Sequence, residues 1–115
     1  MSYNPYYAAE KLGLSLISFE GAGYYEFNTL CFWSNDKGEV YMAQDSGCSC
    51  PTPFEGYCGD NVDDVIRGLE RVKDVEGGID IFNSWNDAIY NNEYKNGNAE
   101  RDELRNWLVS KFNNE

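Results

Sequence analysis

The sequence predicts an α+β fold: a small antiparallel β-sheet from the N-terminal half, packed against C-terminal helices. Two observations carry this. Residues 24–45 hold an aromatic run of period two, a glycine-containing turn and a second β-prone run, whereas the segments after residue 60 space their apolar residues by three and four. Strands first and helices afterwards argue for segregated layers, not for a parallel sheet with alternating helices. At 115 residues, 42% hydrophobic and 16% aromatic, the chain holds enough apolar material for one modest core, so residues 1–115 read as a single domain.

Each element has a local reason. "NPYYAAEKLG" (4–13) reads as a short helix with Asn4 as cap, Pro5 at the first helical position and Gly13 as stop. "LSLISFE" (14–20) is β-prone, and Gly21-Ala22-Gly23 turns the chain. In "YYEFNTLCFW" (24–33) alternation places Tyr25, Phe27, Thr29, Cys31 and Trp33 on one face and Tyr24, Glu26, Asn28, Leu30 and Phe32 on the other. "SNDKG" (34–38) is turn material, and "EVYMAQD" (39–45) returns as the partner strand. The expected pairing sets Trp33 opposite Val40, Cys31 opposite Met42 and Asn28 opposite Asp45.

"DNVDDVIRGLERVK" (60–73) reads as one amphipathic helix, with Val62, Val65, Ile66, Leu69 and Val72 inward and Asp60 as cap. Asp63 and Asp64 lie in the first turn and Arg71 and Lys73 in the last, complementing the helix dipole. Gly77-Gly78 is expected to break the chain. Residues 79–94 then form a second helix with Ile81, Phe82, Trp85 and Ile89 on one face, although its beginning is also compatible with a strand. Asn98 is a candidate cap for a last helix over 99–112, with Leu104, Trp107, Leu108 and Phe112 inward.

Nine Lys and Arg against 20 Asp and Glu give a net charge of −11. Such a field repels phosphate backbones and anionic headgroups and favours basic protein surfaces, so neither direct nucleic-acid binding nor membrane binding is expected. No apolar run reaches a membrane span, and "MSYNPYYAAEKLG" lacks the pattern of a secretory leader. The expected compartment is the cytoplasm, where Cys31, Cys48, Cys50 and Cys58 would be reduced.

The sequence contains no histidine. That removes the Ser-His-Asp triad, the Cys-His pair and the histidine general base. No phosphate-cradling glycine motif occurs. A cysteine nucleophile would need a neighbouring cation, yet between Lys37 and Arg67 lie Glu39, Asp45, Glu55, Asp60, Asp63 and Asp64 and no Lys or Arg. Local negative charge disfavours a thiolate, and no catalytic activity is expected.

The oddest stretch is "DSGCSCPTPFE": Asp45, Ser46, Gly47, Cys48, Ser49, Cys50, Pro51, Thr52, Pro53, Phe54 and Glu55. Its letters suit a rigid packed loop, with Gly47 for the turn, Pro51 and Pro53 for stiffness, Phe54 as anchor, and the two cysteines as small, metal-free packing groups. A zinc site from Cys31, Cys48, Cys50 and Cys58 is the alternative, and its C-x-C spacing matches structural zinc knuckles poorly. No cofactor is expected.

With this motif, residues 24–55 resemble a family of small, uncharacterised proteins encoded by tailed bacteriophages, chiefly those of actinobacteria, which carry a D-S-G-C-S-C-P-[ST]-P-F-E signature. The resemblance implies a source and a host-cell compartment but no activity. Together with the charge, it leads to the expectation of a monomeric or weakly dimeric, non-enzymatic module that binds a host or phage protein. The alternatives are a zinc-stabilised accessory domain and a DNA mimic that blocks a nucleic-acid-binding protein.

Overall fold

A computed structural model describes residues 2–21, 26–48, 53–90 and 97–113, with residues 26, 27, 48 and 90 described as backbone alone. Strands β1 (Ser15–Glu20), β2 (Glu26–Ser34), β3 (Val40–Cys48) and β4 (Glu70–Val72) form an antiparallel sheet in the order β1-β2-β3-β4. Helices α1 (Val62–Arg67), α2 (Val75–Tyr90) and α3 (Asn98–Phe112) complete an α+β fold.

The hairpin forms where expected, but its register is one residue off the expected one. Trp33 pairs with Tyr41, Cys31 with Ala43 and Asn28 with Ser46. The turn decides this. Asn35 N–H donates to the Glu39 carbonyl, and the Asn35 side-chain oxygen accepts from Lys37 N–H and Glu39 N–H, each at 3.0 Å. Gly38 adopts φ 79°, a left-handed conformation that glycine takes without strain. The result is a three-residue loop, Asp36 to Gly38, and Ser34 lies opposite Val40.

Both faces of the sheet are covered. Ile17, Phe19, Leu30, Phe32, Val40, Met42 and Val72 meet Ile79, Phe82, Trp85, Leu104 and Leu108 of α2 and α3. On the opposite face Cys31, Trp33 and Ala43 pack with Leu12, Phe54 and Val65, a smaller second cluster. The expected arrangement of helices on one face holds for α2 and α3. The other face is covered by α1 and the irregular segments around residues 3–14 and 53–59.

The N-terminal segment is not the expected helix. Asn4 does cap it, accepting from Tyr6 N–H at 2.7 Å, but only a 3-10 turn, Glu10–Leu12, follows before Gly13 at φ 75°. The Pro5 carbonyl, which an α-helix would bond to Ala9, accepts from the Trp33 indole N–H at 2.9 Å. Tyr3 bridges to Gly59 through two backbone hydrogen bonds, so the segment follows the sheet face instead of winding.

The predicted helix over 60–73 ends at Arg67. Asn61, not Asp60, caps it through a 3.0 Å bond from Asp64 N–H. Gly68 ends the helix, and residues 70–72 become β4 because Val72 gains a fully buried site opposite Val40. Gly77 and Gly78 do not break the chain. They sit in the first turn of α2, where the Asp74 carboxylate accepts from Gly77 N–H at 2.7 Å. Gly78 is where α2 approaches α3: a methyl group there would lie 2.6 Å from Leu108 Cδ1. Gly97, at φ 73°, occupies the N-cap of α3 in place of Asn98, which lies inside the helix and accepts from Arg101.

Candidate functional site

The loop singled out by its sequence is held at its base. Asp45 lies near the end of β3 on the face of the second cluster, opposite Thr29. Its carboxylate accepts from Ser46 N–H at 3.0 Å and from Phe54 N–H at 2.7 Å. Ser46 is exposed, and Gly47 and Pro53 are half-buried. The Pro53 carbonyl accepts from the Asn4 amide at 2.9 Å. Phe54 is fully buried and takes φ 62°, ψ 25°, a left-handed conformation that is costly for a residue with a Cβ. Its ring lies against Trp33, Tyr6 and Tyr57, with centroids 5.3, 5.5 and 5.6 Å away. Glu55 is exposed and opens a 3-10 turn, Glu55–Tyr57. The Cys48 side chain and Ser49, Cys50, Pro51 and Thr52 lie outside the described residues, as do the packing and zinc expectations that rest on them.

The two described cysteines differ. Cys31 is buried in the sheet, and desolvation pushes its thiol far above the ordinary range, which disfavours the thiolate. Cys58 is exposed, with its sulfur 4.0 Å from the Phe54 carbonyl. Among the described residues, no three His, Cys, Asp or Glu side chains gather as a metal-ligand set. No helix among them is long and apolar enough to cross a membrane.

A separate hollow lies on the other face. Between the far half of the sheet and α2 runs an open groove of about 630 Å³, within the size range of ligand sites. Leu30 and Met42 supply its sheet wall, and Ile81, Trp85 and Ile89 one row of α2. A second α2 row, Asp80, Ser84 and Ala88, forms the exposed lip, the two rows following from the four-residue repeat of a helix face.

One polar node fixes the floor. The Asn28 side-chain oxygen accepts from Gln44 Nε2 and from Trp85 Nε1, both at 3.0 Å. These bonds tie β2, β3 and α2 together and hold the indole edge-down against the sheet. The indole N–H is thus satisfied, and the ring lies buried beneath the groove, with Ile81 and Ile89 half-buried beside it.

The rim is acidic. Glu70 at the start of β4 and Asp80 on α2 line the groove, both exposed. Elsewhere Arg67 rests on Asp64, Arg71 on Glu39 and Arg105 on Glu76. Among the described residues neither Glu70 nor Asp80 has such a partner. A smaller hollow of about 250 Å³ on the β1 side, bordered by Glu20, Glu100 and Glu103, adds to the negative field.

Sequence reasoning did not single out Asn28, Gln44, Glu70 or Asp80. They come from four elements, and 57 residues separate the bonded pair Asn28 and Trp85. The one available signal was an asparagine on the strand face of Leu30 and Phe32, and it calls for a partner without naming one.

A family model, domain of unknown function DUF7574, matches residues 3–109. The chain belongs to that family. The DUF7574 match spans every described strand and ends within α3, so it takes in both the clamped loop and the groove. No curated protein and no solved structure matches the chain.

Proposed function

We propose that this DUF7574 protein is a non-enzymatic binding module that docks a basic partner protein in the groove between its sheet and α2. The single observation that carries this is the groove itself: an apolar floor lined by Ile81 and Ile89 above the buried Trp85, with the carboxylates of Glu70 and Asp80, unpaired among the described residues, at its lip. Concave apolar surface ringed by one sign of charge is the chemistry of a partner site, and the net charge of −11 steers cations toward it. The absence of histidine and the buried, protonated Cys31 favour binding over catalysis. The resemblance to tailed-phage proteins supports the host cytoplasm as the compartment and a host or phage protein as the partner.

The test is affinity capture from the actinobacterial host, run side by side with wild-type protein and with a Glu70→Lys, Asp80→Lys variant whose exposed substitutions leave the fold intact. Proteins retained by the wild type and lost with the variant support the reading. Equal retention by both moves the binding surface elsewhere on the molecule. A thiol pKa near or below about 7 at any cysteine would reopen the case for catalysis.

A further inference from the structure

The groove is bordered by a strand edge that is only half paired. β4 reaches Val40, Tyr41 and Met42 of β3 and no further. From Ala43 to Cys48, β3 has β2 on one side and, among the described residues, no strand on the other. The turn fixes which backbone groups face outward. Because Asn35 N–H bonds the Glu39 carbonyl, alternation directs the peptide groups of Tyr41, Ala43 and Asp45 to β2 and those of Val40, Met42, Gln44 and Ser46 to the opposite side. Val40 and Met42 meet β4. Among the described residues Gln44 meets nothing there, and of Ser46 only the N–H is engaged, by the Asp45 carboxylate.

We propose that the groove is filled by β-strand addition: an extended segment of a partner protein, alternating apolar and basic residues, pairs with the free half of β3 and continues the line of β4. This rests on the binding reading above and names its mode. Two independent features coincide. The edge offers the N–H and C=O of Gln44 and the C=O of Ser46, and the cavity lies on the same side of the sheet as the Met42 and Gln44 side chains. A strand about 4.8 Å beyond β3 would direct every second side chain into that cavity, against Ile81 and Trp85. Glu70 and Asp80 then select Lys or Arg, and a second copy of this chain, with its own charge of −11, is disfavoured as the occupant.

The probe is a capped peptide of about six residues, the free length of β3, alternating lysine and valine. Binding to the full chain is read by fluorescence anisotropy and by amide hydrogen exchange. Two further peptides carry N-methyl groups on the alternate amides of one edge or of the other. The parent peptide is expected to bind and to protect Gln44 N–H from exchange. One methylated peptide should bind at least about tenfold more weakly and the other about as well as the parent, because only one edge faces β3. Gln44→Pro removes an outward N–H that β2 does not use, and with it the side chain that bonds Asn28, so it is read against Gln44→Ala, which loses the side chain alone. The proline variant should bind at least about tenfold more weakly than the alanine variant, and equal binding by the two overturns strand addition.

Equal binding by both methylated peptides overturns strand addition while leaving a groove binder standing. So does binding of an amphipathic lysine–leucine helix in the absence of strand-peptide binding. Failure of both probes at about 1 mM overturns strand addition as well, and the capture experiment then decides the binding reading separately.

Discussion

Phe54 offers the most direct check on how the clamped loop is held. The residue is fully buried, touches three aromatic rings and stands at φ 62°. Phe54→Ala removes a large side chain from the centre of the second cluster, and core Phe-to-Ala changes cost about 3–5 kcal/mol. Phe54→Gly removes slightly more, yet its backbone effect has the opposite sign to the usual one. Alanine in the left-handed region bears a strain of roughly 1–2 kcal/mol, whereas the unfolded-state entropy of glycine costs about 0.4–1 kcal/mol. The glycine variant should therefore equal or exceed the alanine variant in stability. At an ordinary helix or strand position alanine would lead by about 0.5–1 kcal/mol. Urea unfolding followed by tryptophan fluorescence reads both effects. With a slope of about 1–3 kcal/mol per molar urea, a loss near 4 kcal/mol lowers the midpoint by more than about 1 M. If the alanine variant is too unstable to measure, Phe54→Leu against Phe54→Met supplies a milder burial series. An alanine variant within about 1 kcal/mol of wild type would refute the anchoring role, and one clearly more stable than the glycine variant would refute the backbone argument.

Three further outcomes follow from the packing. Burial raises the Cys31 thiol above its ordinary value, so above about pH 9 the unfolded chain loses that proton while the folded chain keeps it. Stability from this group is complete below that pH and falls above it by about 1.4 kcal/mol per pH unit, and an alkaline unfolding curve of equal steepness in Cys31→Ala would contradict this. Gly78→Ala should destabilise by about 1 kcal/mol, because overpacking against Leu108 outweighs the gain in helix propensity. The same change in a Leu108→Ala background should be favourable, and simple additivity in a double-mutant cycle would refute the contact. Asp74→Ala should cost about 1 kcal/mol in thermal melts through loss of the α2 cap, with Asp74→Asn retaining most of it.

The hairpin was legible because its turn letters and aromatic alternation agree. Its register was not. Thr29, Leu30, Cys31, Phe32 and Trp33 are all fully buried, so the hydrophobic pattern carries no information about which face is which. Register is set by the Asn35 side chain and by Gly38, a detail of turn geometry. The helix over 60–73 was read too long because Leu69 and Val72 satisfy the helical spacing, and three residues are too few to reveal a period of two. Gly77 and Gly78 looked like a break because the local rule says so. The reason Gly78 sits inside a helix lies 30 residues away, at Leu108, whereas Gly77 meets the capping Asp74 carboxylate. The cysteine loop drew attention by its composition, whereas the groove assembles from common residues that only the fold brings together.

The strand β2 also has a consequence for how the protein is made. Residues 29–33 carry no charge and no proline and are inaccessible from either side of the finished sheet. During synthesis that segment leaves the ribosome well before α2 and α3, which cover one of its faces. Until they arrive, the nascent chain displays a short, uncharged, β-prone sequence of the kind that seeds aggregates. The C-terminal helices therefore act as an intramolecular shield as well as a structural layer. A chain interrupted before Val75 should partition into inclusion bodies, and ribosome stalling after the hairpin would be more hazardous than stalling after α2.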